Sequence, residues 1–407
     1  DGRAILLGEV TGRDGQRYDI QLKGSGRTPF SRGGDGRAVL GPVLREYIVS
    51  EAMAALRIPT TRALAAVVTG EVVQREVPSP GAVFTRVASS HLRVGTFQFF
   101  AARGDTAALR QLAEYAMARH YPEASTAAKP FRAFLEGVIG RQARLVAQWM
   151  SIGFIHGVMN TDNTSISGET IDYGPCAFME AYDPETVFSS IDRMGRYAYG
   201  SQPGAMAWNL MRLAESLLPL LEAEEGGQEA AVNGANEALS TFGAVFEAAY
   251  EAAFRRKIGL EEEHEGDRAL IYDLLERMTA NGVDFTQFFR GLCDVAETGG
   301  AHPLRKTQDD QAALEGWMAR WRERVGREKG SNASERAGRM REVNPVYIPR
   351  NHRVEEALRA ATESQNFEPF ERLLEVLAKP YEGRPGLERY ALPALPEERV
   401  RQTFCGT

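Results

Sequence analysis

The chain has 407 residues, 43% of them hydrophobic, and 48 basic against 55 acidic side chains leave a net charge of −7. That length buries a sizeable core and predicts two or three domains, the hydrophobic share argues against disorder, and the mildly acidic balance speaks against a basic nucleic-acid surface. No apolar run approaches the roughly 18 residues a membrane span needs, and Cys176, Cys293 and Cys405 are too few and scattered for a zinc cage or disulfide framework.

The opening Asp1-Gly2-Arg3 lacks an initiator Met and a basic-then-apolar leader, so the chain is expected to begin inside a longer protein. Ala4–Val10 and Tyr18–Lys23, separated by Gly12-Arg13-Asp14-Gly15, predict one hairpin, and Leu64–Thr69 and Glu71–Arg75 around Thr69-Gly70 predict a second. Between them lies a glycine-dense loop, Gly24 through Gly36, then Pro42 at a first helical position and a helix over about Val43–Leu56. From Asp105 the period becomes helical. Phe131, Phe134, Leu135, Val138, Gln142, Leu145, Val146 and Trp149 form one face of a long helix that leads into His156-Gly157-Val158-Met159-Asn160-Thr161-Asp162-Asn163. Beyond Ser201 helices are predicted over Trp208–Leu221, Glu229–Arg256, Ala269–Met278 and Ala312–Arg324, with an irregular stretch Asn344–His352 and a Pro-rich tail from Pro380 to Pro396.

A small sheet, a lysine ending a strand, a helix with glutamates, and a polar loop after a long helix are, in that order, the parts of a kinase-type nucleotide site. Lys23 closes the alternating run Tyr18–Leu22; a lysine at a strand end is, taken alone, more often simply a solvated one. Glu46 and Glu51 both qualify as its carboxylate partner. At 100° per residue Glu51 falls within the stripe of Val43, Leu44, Tyr47 and Ile48, so periodicity weakly favours it, although apolar residues on other faces blur the choice.

The loop His156–Asn163 fits a His-Gly-Asp catalytic loop except that Val158 replaces the acid and cannot accept a proton; Asp162 is the nearest carboxylate. Asp172-Tyr173-Gly174 follows nine residues after Asn163, with Ile166 and Ile171 as strand flanks. Asn163 and Asp172 offer oxygen ligands suited, with phosphate and water, to Mg²⁺. Arg86 and Arg93 bracket Val87–Leu92, and guanidinium forks suit phosphate oxygens.

These residues resemble the selenoprotein O family, kinase-fold protein adenylyltransferases. The resemblance runs along essentially the whole chain through Gln21–Phe30, Ser31–Ala38, Arg86–Gly95, His156–Asn163, Asp172–Pro175 and Asn344–His352. It implies an α+β, protein-kinase-like two-lobed fold. The expected parts are an N-lobe over 1–104, incomplete at its start, a catalytic core over 105–200 and a helical extension with a redox-type tail over 201–407. It further implies a flipped ATP whose AMP moves to protein Ser, Thr or Tyr hydroxyls. Lys23, Arg86 and Arg93 then bind polyphosphate, Glu46 orients Lys23, and Gly2, Arg3, Asp35 and Gly36 complete the ATP pocket. Asp162 is the proton acceptor, while Asn163 and Asp172 bind Mg²⁺ or Mn²⁺, Asp172 also lying close to ATP. Cys405 occupies the family's redox position, with Cys176 as its partner across space or a free tail thiol as the alternative. The partners implied are ATP and hydroxyl-bearing proteins, not nucleic acid or membrane, and the location is the bacterial cytoplasm, or the mitochondrion in a eukaryote. The competing readings are a γ-phosphoryl-transferring kinase and a non-catalytic nucleotide-binding pseudokinase.

Overall fold

A computed structural model describes residues 2–31, 33–300, 302, 308–330 and 332–404. The fold is α+β: one five-stranded sheet near the N-terminus, a two-stranded ribbon, and a mostly helical remainder.

Strands β1 (Ala4–Thr11) and β2 (Arg17–Lys23) form the predicted first hairpin. After the glycine-rich loop come β3 (Ala38–Val39), helix α1 (Leu40–Ala55), β4 (Arg62–Val73) and β5 (Ser79–Ala88). The second predicted hairpin does not turn at Thr69-Gly70. Thr69-Gly70 lies inside the single long β4, where the register against β5 shifts between Val68 and Val72, so an irregularity stands where a turn was expected. β5 is the centre of the sheet, antiparallel to β2, β3 and β4. Pro42 is the third residue of α1 rather than the first, a position where its missing N–H costs nothing because the first turn has no intrahelical acceptors.

Helices α2 (Val94–Ala101), α3 (Thr106–His120) and α4 (Pro130–Ser151) follow, then β6 (Phe154–Ile155), paired with β7 (Ala177–Phe178). The predicted face of α4, Phe131 through Trp149, is buried, and α5 (Gln202–Glu225) and α6 (Gln228–Lys257) pack on this helix. The strand expected between Ile166 and Ile171 is absent; isolated bridges, Arg93 to Ser165 and Thr60 to Thr170, take its place. The chain continues through α7 (Asp267–Ala280), α8 (Phe285–Thr298), α9 (Gln308–Val325), α10 (Ala333–Val343), α11 (Asn351–Ser364) and α12 (Glu368–Leu377).

The main core gathers α4–α8 with the far end of α1. A second core joins Leu40, Val43, Leu44 and Ile48 of α1 with Phe84 of β5 and with Val354, Ala357, Leu373 and Val376 of α11 and α12. Helix α1 is therefore enclosed by the sheet on one side and by the C-terminal helices on the other. Among the described residues no helix is long and apolar enough to cross a membrane.

Candidate active site

On β2, alternation puts Gln21 and Lys23 on one face, and the antiparallel register sets Gln21 directly opposite Arg86 of β5. Both Gln21 and Arg86 are buried, and Arg86 Nη1 donates to Gln21 Oε1 at 3.3 Å. Glu46 of α1, 3% exposed, serves two cations: its Oε2 accepts from Lys23 Nζ at 2.7 Å and its Oε1 from Arg86 Nε at 2.9 Å. Lys23 Nζ also donates to Asp172 Oδ1 at 2.5 Å, and Arg86 Nη2 lies 3.7 Å from the same oxygen. Residues 149 positions apart thus meet in one cluster of two carboxylates and two cations. Burial alone would raise the Glu46 carboxyl, but Arg86 and Lys23 outweigh it and lower it; burial likewise opposes, and Lys23 and Arg86 reverse, the shift at Asp172, held far below the ordinary range.

The choice between glutamates is settled by this contact. Glu51 faces the other way, where it holds Arg62 with a two-point fork at 2.8 and 2.7 Å and accepts from the Ala63 N–H at 2.9 Å. The periodicity reading that favoured Glu51 fails because α1 is covered on several faces, so an apolar stripe does not mark the side toward the cluster.

Asp172 stands on a backbone with φ of 69°, a left-handed conformation that costs a non-glycine residue energy and recurs at functional sites. The preceding stretch is pinned from below. Gln142 of α4 donates to the Ser165 carbonyl at 2.5 Å, Trp149 Nε1 to Thr170 Oγ1 at 2.8 Å, and the Thr170 N–H to the Pro59 carbonyl at 2.9 Å. The following Tyr173 is buried and hydrogen-bonded through its hydroxyl to Thr60.

His156 is fully buried, its Nε2 3.0 Å from the Ile171 carbonyl, so it joins the catalytic-type loop to the segment before Asp172. Val158 is buried as well, and its carbonyl accepts from Asn163 Nδ2 at 3.0 Å. That bond commits the Asn163 amide nitrogen and leaves its side-chain oxygen as the group able to meet a cation. Thr161–Asn163 form a single 3₁₀ turn on which Asp162 is exposed. Arg93 immediately precedes α2, where its N–H donates to Thr96 Oγ1 at 3.2 Å, and its Nη1 donates to the Asp162 carbonyl at 3.1 Å. Burial, with the neighbouring Arg86, pushes Arg93 down to about 10 against the opposing pull of the Asp172, Asp162 and Glu46 carboxylates.

Of the other expected pocket residues, Arg3 lies near enough to Asp172 to stabilise its charge, and the Arg3 carbonyl accepts from the Gly24 N–H at 2.8 Å. The Gly2 carbonyl accepts from Ser31 Oγ at 2.5 Å. Asp35 turns its carboxylate to Arg75, which donates at 2.8 and 3.0 Å; this fork lowers the Asp35 pKa to about 2. Gly36, at φ 68°, is packed so tightly on the Gly26 carbonyl that any Cβ would collide with it. Asp35 and Gly36 therefore close the glycine-rich loop rather than join the Lys23 cluster. Cys405 lies outside the described residues. Cys176 is buried and forms no disulfide among the described residues, its thiol is pushed up to about 12 by burial, and Thr403 Oγ1 donates to the adjacent Pro175 carbonyl at 2.5 Å.

Sequence reasoning missed Gln21, although its two-residue offset from Lys23 was a usable signal. It also missed Arg45, whose Nη2 donates to the Cys176 carbonyl at 2.5 Å and to Asn351 Oδ1 at 2.8 Å, because that partnership spans 306 positions.

A family model described as protein adenylyltransferase SelO matches residues 1–378. The chain belongs to the SelO family. Among its relatives, proteins named protein nucleotidyltransferase YdiU, that of Bradyrhizobium diazoefficiens is 62% identical over 407 residues, covering 100% of this chain and 82% of the relative. Those of Rhizobium etli and Methylorubrum populi are 60% and 61% identical, each match covering 100% of this chain and 81% or 82% of the relative. A SelO-family protein adenylyltransferase uses ATP and a protein as its substrates.

Proposed function

We propose that this SelO-family chain transfers AMP from ATP to Ser, Thr or Tyr hydroxyls of proteins, with Lys23, Arg86 and Arg93 on the β- and γ-phosphates. The observation that carries the reading is the convergence of Lys23, Glu46, Arg86 and Asp172: fixed, desolvated cations held by carboxylates, the arrangement that recognises a polyphosphate. Its parts arrive in the order of a protein-kinase-like two-lobed fold, with an N-lobe over 1–104, a catalytic core over 105–200 and a helical extension over 201–407.

In the reaction the substrate hydroxyl oxygen attacks the α-phosphorus, the bond to the β-phosphate oxygen breaks, and pyrophosphate leaves. Asp162 accepts the hydroxyl proton, the role Val158 cannot fill, and its exposure suits a protein substrate arriving from solvent. Glu46 and Gln21 hold Lys23 and Arg86 in place before ATP arrives, so little reorganisation is required. Gly2, Arg3, Asp35 and Gly36 shape the loop that covers the nucleotide. Asn163 Oδ1 and the Asp172 carboxylate are the oxygens that would hold Mg²⁺ or Mn²⁺, a hard-cation donor set that fits a site sharing its remaining positions with phosphate and water. A metal bound there would neutralise charge on the phosphates. The placement of the whole enzyme in the bacterial cytoplasm belongs to the same reading.

The test uses Arg93, whose replacement leaves the buried Glu46 pair intact. Arg93→Gln should lower transfer and weaken inhibition by pyrophosphate, while AMP affinity, which does not depend on the β- and γ-phosphates, changes much less. Parent-like affinity for ATP, pyrophosphate and AMP in that variant would contradict the assignment.

A further inference from the structure

The start of α2 is sewn to the loop that carries Asp162. The Val94 N–H donates to the Thr164 carbonyl at 3.0 Å, Arg93 Nη1 donates to the Asp162 carbonyl, and Arg93 bridges Ser165. Gly95, the second residue of α2, lies under the Asp162 side chain. A Cβ at Gly95 would collide with Asp162 Oδ1 and sit 3.2 Å from its Cγ, yet clear its Cα at 3.6 Å. The space is therefore closed to a methyl group by the carboxylate and not by the backbone.

Nothing in the local conformation asks for glycine at this position. Gly95 is absent from the positive-φ glycines, and within a helix alanine is the better former. A glycine in this helical position carries some conformational cost, and what it secures is the direction of one carboxylate. We infer that Gly95 is a positioning residue for Asp162: its missing side chain lets the carboxylate lie against the first turn of α2, turned toward the substrate hydroxyl. This inference rests on Asp162 being the proton acceptor.

An added methyl moves only the Asp162 side chain, because that is the group it strikes. A displacement on the order of 1 Å at a reacting group costs about 10²-fold in rate. Gly95→Ala is expected to lower kcat by about that factor, with ATP affinity and KM for ATP unchanged and thermal stability equal to or above the parent's. Gly338→Ala in α10, where a Cβ would meet nothing within 4 Å, is the matched control and should turn over as the parent does.

The decisive measurement is a double-mutant cycle of Gly95→Ala with Asp162→Asn. If Gly95 acts through the carboxylate, the double variant is no slower than Asp162→Asn alone. A Gly95→Ala enzyme with parent kcat beside an inactive Asp162→Asn enzyme would overturn the inference and leave the transferase reading standing. Losses that simply add, or a fall in stability that matches the fall in rate, would overturn it as well. Parent turnover in Asp162→Asn itself would instead remove the proton-acceptor assignment, and the role of Gly95 with it.

Discussion

Replacing Glu46 by Gln keeps the volume of the side chain and removes one charge from the centre of the cluster. In the parent the two carboxylate oxygens face Lys23 Nζ at 2.7 Å and Arg86 Nε at 2.9 Å, so an amide presents an N–H toward one of these cations whichever way it turns. Taking one partner from a buried pair costs about 3–5 kcal/mol, and here Asp172, already 2.5 Å from Lys23, takes up part of the loss. A destabilisation of about 3 kcal/mol, the low end of that range, is expected in urea unfolding at neutral pH. Saturating ATP should restore part of it, because the phosphates supply the missing anion. Glu51→Gln is the comparison: its partner Arg62 is mostly exposed, and surface pairs contribute about 0–1 kcal/mol. Equal costs for the two variants, or a Glu46→Gln change within about 0.5 kcal/mol of zero, would refute the reasoning.

Asp172→Ala is expected to abolish metal-dependent ATP binding, measured by calorimetry with and without Mg²⁺; unchanged Mg²⁺-dependent affinity would remove Asp172 from the metal site. Stability should also fall with acid in two stages. Burial and neighbouring arginines lower His91 and His120 from 6.5 to about 4, so the folded state keeps them neutral while the unfolded chain protonates. Their contribution is present above pH 6.5 and is lost as pH falls from there toward about 4. The lowered carboxyls of Glu46 and Asp172 act below that: their contribution is present above the unfolded carboxylate values near pH 4 and is lost as pH falls through the depressed folded values. Urea midpoints from pH 8 to pH 3 check this, and a flat profile between pH 7 and pH 5 would contradict the histidine stage; His120→Gln should weaken that stage.

What the sequence disclosed follows from the range over which its signals act. The face of α4 and the β1–β2 hairpin are local and periodic, and both were legible. Lys23, Asp162, Asn163 and Asp172 were picked out as motif positions, and what spacing alone could not give is that Lys23 reaches Asp172 and shares Glu46 with Arg86. The pairing partner of Lys23 was ambiguous because α1 is wrapped by β5 on one side and by α11 and α12 on the other, so apolar residues line several of its faces. Those two helices lie some 300 positions further along the chain. Thr69-Gly70 read as a turn because Gly and a hydroxyl residue favour one, yet pairing along the length of β5 holds β4 as a single strand. The left-handed backbone of Asp172 and the contact between Gly95 and Asp162 have no signature in either local segment, since both are set by tertiary packing.

The central claim is that the nucleotide's α-phosphorus, and not its γ-phosphorus, is the one transferred, and it is tested most directly by which phosphate of ATP stays on the protein. The chain is incubated with Mg²⁺ and ATP labelled separately at the α- and γ-phosphates, together with a protein acceptor, and the acceptor is read by mass spectrometry. The account predicts label from the α position only, carried as an intact adenylate on a Ser, Thr or Tyr side chain, and its loss in Asp162→Asn. Label from the γ position, carried as a phosphate, would contradict it.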